Sequence, residues 1–287
     1  MQARHKGWAN GLTAVVLFGG SMPATRLAIT GLAPLLLTSA RALIAGLLGC
    51  ALLALGRQPL PRGRQWRALA IVAGGCVLGF PLLSALALQH ISATRSLVFT
   101  GLLPLSTASF AVLRGKERPS PAFWAFAALG AAAVAGFALA RSSGGSLAGD
   151  ALMLLAVAVC GLGYAEGAVL TRALGGWQVI CWALVLCLPA ALIGTLLLRP
   201  ATGLAAIGWA SWAGLAYVSI ISMLVGFIFW YRGLDLGGIA SVGQLQLLQP
   251  FVGLVLAGLV LGEAVSPATL PVMALVAASA LGARRFA

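Results

Sequence analysis

Residues 239–263 read IASVGQLQLLQPFVGLVLAGLVLGE, and residues 93–117 read ATRSLVFTGLLPLSTASFAVLRGKE. Each stretch opens with small and polar residues, crosses a long apolar run and ends on a glutamate. In each, a proline stands thirteen positions before that glutamate: Pro104 and Glu117, then Pro250 and Glu263. Both pairs are 146 residues apart, close to half of the 287-residue chain. One helix written twice at that period is the mark of an internal duplication, and the remaining sequence is read on that frame. Thr25-Arg26 and Thr171-Arg172 share the same offset.

Composition decides the solvent. The chain is 61% hydrophobic and 8% charged, where soluble domains carry about 25% charged residues. The net charge of +13 would suit nucleic acid if it formed a patch. Here the basic residues sit between apolar runs, where positive charge fixes membrane topology, so nucleic acid is not an expected partner. The five cysteines all lie inside apolar runs, with no CxxC and no accompanying histidine. That excludes a disulfide framework and a zinc site, so no metal or other cofactor is expected. The chain carries no Walker A loop, no HExxH and no G-x-S-x-G, which leaves ATP-driven work and covalent catalysis without a site. It does not read as an enzyme. Arg4, His5 and Lys6 precede an apolar run that continues past Met22 with no A-x-A-like site; this is a first membrane helix and not a cleaved signal.

A span needs about 20 predominantly apolar residues. Ten such runs can be drawn, near 7–28, 33–55, 67–88, 93–114, 121–140, 148–170, 177–198, 209–231, 239–261 and 267–285. Gly31, Pro34, Pro59, Pro61, Pro119, Pro121, Pro200 and Pro267 mark the breaks between them. With the N-terminus inside, thirteen Lys and Arg fall in inner segments and four in outer ones, Arg41 lying within a span; this accounts for all 18. The bias orients both termini to the cytoplasm of an inner membrane. Each half then holds five spans, an odd number, so the second half enters the membrane from the opposite side. The expected fold is an all-α integral membrane protein: ten transmembrane helices in two inverted five-helix repeats, residues 1–145 and 146–287, around a central cavity.

Ten spans, two five-span halves, a short inner N-terminus and the repeated P-x12-E helix resemble the drug/metabolite transporter superfamily in its EamA-type exporter branch. Within that branch the chain is most similar to bacterial exporters of aromatic and other neutral amino acids. The resemblance implies an inner-membrane exporter of a small molecule. It also implies a cavity built by spans 1, 3, 4 and 6, 8, 9, opened to alternate sides by rocking of the halves. The rival readings are export of drugs or other metabolites, an intramembrane enzyme, or a structural membrane protein. An intramembrane enzyme would be expected to cluster acids or histidines near one face, and the chain has five acidic residues in all.

Candidate site residues follow from polarity at depth. Gln246, Gln249 and Gly253 recur at helical steps on one face, and Thr100 stands 146 residues before Gln246. Lipid offers such groups no partner, so they line a path or bond between helices. Gln244 lies off that face. Phe80, Phe99, Tyr164 and Trp230 come from four central spans and could wall an apolar pocket. Gly20, Pro23, Pro81, Pro104 and Pro250 mark weak or kinked points suited to hinges. Arg41, about eight residues into span 2, is expected to snorkel outward, the alternative being a substrate carboxylate. Glu166 would pair with Arg172 or carry a proton. The absence of a deep Asp or Glu points to facilitated efflux and away from proton coupling.

Overall fold

In the computed structural model of the protein, the described residues are 2–91, 93–115, 118–139, 146–198, 203, 207–261 and 269–286. They form ten helical rods and no strand. α1 consists of Gln2–Gly19 and Ser21–Ala28, α2 is Pro34–Leu55, and α3 is Arg64–Ala87. α4 consists of Ala93–Thr100 and Leu103–Gly115, and α5 is Pro121–Leu139. In the second half α6 is Leu147–Leu174, α7 is Gly176–Leu197 and α8 is Trp209–Gly237. α9 joins Ile239–Gly243, Gln244–Leu248 and Gln249–Leu261, and α10 is Thr269–Arg285. Six rods (α2, α3, α6, α7, α8 and α9) are each long and apolar enough to cross a bilayer. Helix throughout is what lipid demands, since no backbone N–H or C=O can be left to hydrocarbon. The chain is an all-α, multi-pass membrane protein.

Packing follows a two-fold pattern. α2 lies on α7 and α5 on α10, each helix against its own repeat partner. The α1–α8 contact is matched by α6–α3, and the α4–α6 contact by α9–α1. Irregularities repeat as well. Ala73–Gly79 in α3 and Tyr217–Gly226 in α8 are both π-helical, and the second segment contains the positions 146 residues after the first. α4 breaks at Gly101-Leu102, and α9 tightens into a 3-10 turn over Gln244–Leu248, again at the 146-residue offset. Proline explains the second pair. Pro104 and Pro250 each sit second in the helix after the break. A ring there cannot donate to the carbonyl four residues back, yet it fits a first helical turn. The repeat is imperfect at one point: α1 is interrupted at Gly20, whereas α6 runs unbroken through Glu166. Glu117 and Glu263, which close the two repeated stretches, lie outside the described residues.

Both ends of the chain meet on one face. Phe286 O accepts from Ser120 N at 3.2 Å and from Ser120 Oγ at 3.1 Å. Gly7 abuts Gly237, Gly176 abuts Arg232, and Gln178 Nε2 donates to Gln58 Oε1 at 3.1 Å. These contacts gather the connections read from sequence as inner, in keeping with an even number of crossings.

Candidate functional site

The helices that approach most closely do so over glycine. Gly75 of α3 lies against the Val159 carbonyl and Gly163 of α6, and Gly163 lies against Cys76. A Cβ at either position would collide, so the small residues set the α3–α6 separation. Gly167 similarly admits the Tyr231 ring of α8, whose hydroxyl donates to Gly163 O at 3.2 Å. Cys76 of this tight layer also lines a central cavity.

The cavity takes Phe18, Ser21 and Thr25 from α1, Phe80, Pro81 and Ser84 from α3, and Leu103 from α4. The second half adds Tyr164 from α6, Ser222 and Phe227 from α8, and Gln249 from α9. Spans 1, 3, 4, 6, 8 and 9 therefore all contribute, with Arg41 of α2 in addition. Four aromatic rings stand in its walls, among them Tyr164 packed edge-on to Phe227 at 5.7 Å and Phe227 to Phe18 at 5.1 Å. The hydroxyls of Ser21 and Ser222, one from each half, lie 2.7 Å apart across it. The free space is about 30 Å3, enough for water and far below what an organic solute fills. The halves are drawn together around the site.

Of the residues singled out from sequence, Phe80, Pro81, Tyr164 and Gln249 line this space. Trp230 is wholly buried behind it, 5.3 Å from Tyr164 and 6.2 Å from Phe18 between ring centroids. Phe99, Thr100 and Gln246 are buried elsewhere in the bundle. Gln246 and Gln249 part company at the boundary between the 3-10 turn and the α-helix that begins at Gln249. A tighter turn alters the angle between residues three apart. Both polar atoms of Gln244 and Gln246, and Oε1 of Gln249, are buried with no protein partner. Such groups call for water or ligand.

Gly20 occupies the one-residue interruption of α1, where any side chain would meet the Tyr217 ring. The Tyr217 hydroxyl donates to Leu17 O at 2.9 Å, satisfying a carbonyl freed by that interruption. Pro23 lies one turn on, buried within Ser21–Ala28.

Two expectations are corrected. Arg41 does not snorkel: it is 6% exposed and turned inward, Nη2 donating to Val218 O at 3.1 Å. Val218 belongs to the π-helical part of α8. The wider π turn shifts its carbonyl bonding out of α-helical register, leaving acceptors for a side chain. Glu166 does not pair with Arg172. Its Oε2 accepts from Arg114 Nε at 2.8 Å, tying α6 to α4. Serine and threonine at the cavity escaped the sequence reading because a hydroxyl in a membrane helix more often bonds its own preceding turn, as Thr38 does to Pro34 O.

A helical bundle of two matched halves, with a polar-tipped aromatic cavity at their junction, is the architecture of a membrane transporter. The chain belongs to the EamA-like transporter family, whose model matches it twice, over residues 5–139 and 147–284. It is 55% identical, across the full length of both chains, to a Bacillus subtilis (strain 168) protein named "Uncharacterized transporter YdeK". A solved structure described only as "Crystal structure of protein" superimposes with a TM-score of 0.80 at 20% identity. That likeness covers 98% of this chain and 99% of the other, and it concerns the fold.

Proposed function

We propose that this transporter exports aromatic and other neutral amino acids across a bacterial inner membrane, by alternating access between inverted halves, residues 1–145 and 146–287. The observation that carries the reading is the cavity itself, with aromatic faces and polar groups contributed by both halves. A planar apolar side chain suits Phe80, Tyr164 and Phe227, and Gln249 supplies a polar contact. Trp230 backs this wall, and Phe99, Thr100 and Gln246, buried elsewhere in the bundle, join the path as the halves part. Gly20, Pro23, Pro81, Pro104 and Pro250 stand at helix interruptions or first turns and act as the hinges. No acidic residue is among those lining the cavity, which favours facilitated efflux. Both termini face the cytoplasm on the argument of basic charge.

The deciding experiment is uptake of a panel of labelled amino acids into proteoliposomes, with and without a pH gradient. Transport of phenylalanine and leucine, lowered by Tyr164→Ala and by Gln246→Leu with insertion unchanged, is the expected result. Accumulation driven by a pH gradient would overturn the facilitator reading. Unchanged rates in both variants would remove the site assignment.

A further inference from the structure

Arg41 is a cation deep in the bundle whose Nε donor is buried and unmet. A guanidinium offers five N–H donors and no acceptor. Here Nη2 reaches the Val218 carbonyl, while Nε is buried without a partner. The described acidic residues are engaged elsewhere. Asp150 holds Arg95 at 2.6 Å, Glu166 holds Arg114 at 2.8 Å, and Asp235 accepts from Thr171 Oγ1 at 3.0 Å. None of the three lines the cavity. A charge inside a membrane bundle is costly unless an opposite charge meets it, and the lining supplies only serine, threonine, cysteine, tyrosine and glutamine as polar neighbours.

We infer that Arg41 is the carboxylate-recognising residue of the central cavity, and that the solute it selects carries a carboxylate beside an apolar group. The planar fork of a guanidinium matches a carboxylate with two parallel hydrogen bonds, which a point cation does not. Gln249 Oε1, 5% exposed as a residue and unpartnered, lines the same cavity and is an acceptor waiting for a donor. An α-ammonium meets that need. Phe18, Phe80 and Phe227 receive the apolar remainder. The bound solute thus neutralises the cation found among the described lining residues. This inference rests on the transport reading above and adds the chemistry by which the solute is chosen.

Thermal unfolding of the purified full chain in lipid nanodiscs tests it with four probes: L-phenylalanine, 3-phenylpropanoate, L-phenylalaninamide and chloride. The two carboxylates are expected to stabilise the wild-type protein, binding about tenfold or more tighter than the amide, which has lost the charge. Chloride should give no comparable effect. Arg41→Gln should abolish the distinction between acid and amide, and Arg41→Lys should restore part of it. Equal stabilisation by amide and acid, stabilisation by chloride alone, or an acid preference retained in Arg41→Gln would each overturn the inference. The wild-type comparison decides the matter even if Arg41→Gln fails to fold. Flux of L-phenylalaninamide in proteoliposomes separates the two failures. An amide moved as fast as the acid removes Arg41 and leaves the amino-acid reading standing; no flux of any labelled amino acid removes the amino-acid reading.

Discussion

The α4–α6 seam and the α9–α1 seam occupy equivalent places in the two halves, yet they are held differently. α4–α6 is stapled by charge near both ends. Arg95 grips Asp150 with two bonds, Nε to Oδ1 at 2.8 Å and Nη2 to Oδ2 at 2.6 Å, and Arg114 meets Glu166. Between them Ser106 Oγ donates to Val157 O at 3.1 Å. At the other seam the positions equivalent to Arg114 and Glu166 are Val260 and Gly20. These two line an apolar crevice of about 190 Å3. The positions equivalent to Arg95 and Asp150 are Ser241 and Arg4, and they line a recess of about 340 Å3 at the face holding the termini. Where one seam carries an ion pair, its twin carries an opening. The α9–α1 contact is made instead by Gly11 against Val242 and Gly19 against Val252, with Trp8 Nε1 donating to Ser241 Oγ at 3.2 Å. Smooth close contact of small residues permits sliding, whereas a bidentate ion pair holds one register. Relative motion of the halves is therefore expected chiefly along α9–α1.

Five substitutions test that contrast. The largest effect is expected at Gly20, where Gly20→Leu would drive a side chain into Tyr217 and strip the hydrogen bond from Leu17 O. Overpacking of this kind costs about 1–3 kcal/mol, and transport in proteoliposomes should fall more than about tenfold, a difference of about 1.4 kcal/mol in barrier terms. Glu166→Gln, at the equivalent position of the other seam, should leave most of the transport rate. Equal loss in the two variants would erase the asymmetry. Next comes Arg95→Ala, expected to lower stability by about 1 kcal/mol and the unfolding midpoint by about 2–4 °C. A double-mutant cycle with Asp150→Ala should recover a coupling of the same size, and zero coupling would mean that the pair holds nothing. The smallest effect belongs to Arg114→Ala. Arg114 is 44% exposed in its side chain, so solvent and salt screen the pair to a few tenths of a kcal/mol. Any loss there should vanish at high ionic strength, and a salt-independent loss would indicate a buried role instead.

Much of the fold was legible because the bilayer leaves few solutions. Apolar runs of the right length, punctuated by proline and glycine, gave ten spans, and the spacing of Pro104 and Pro250 gave the duplication. The same prolines also marked where α4 breaks and α9 tightens, since a missing N–H is a property of the residue itself. The π-helical turns were not legible. Ala73-Gly74-Gly75 hints at one, but Tyr217–Gly226 is ordinary apolar sequence with a single glycine at its end. Arg41 was misread for a related reason. Its depth is written in the sequence, but its direction depends on a carbonyl that only the distorted turn of α8 makes available.

The sequence by itself determined the solvent, the number of crossings, the twofold repetition and the sharing of one face by both termini. Each of these follows from local composition, period and parity. Tertiary structure alone decided which polar groups share the cavity, because that depends on helix rotation and on turns that tighten or widen by a fraction of a residue. It brought Ser21 of one half against Ser222 of the other, parted Gln249 from Gln246, and turned Arg41 inward. No periodicity along a single helix encodes such pairings, since each is fixed by the helix packed against it.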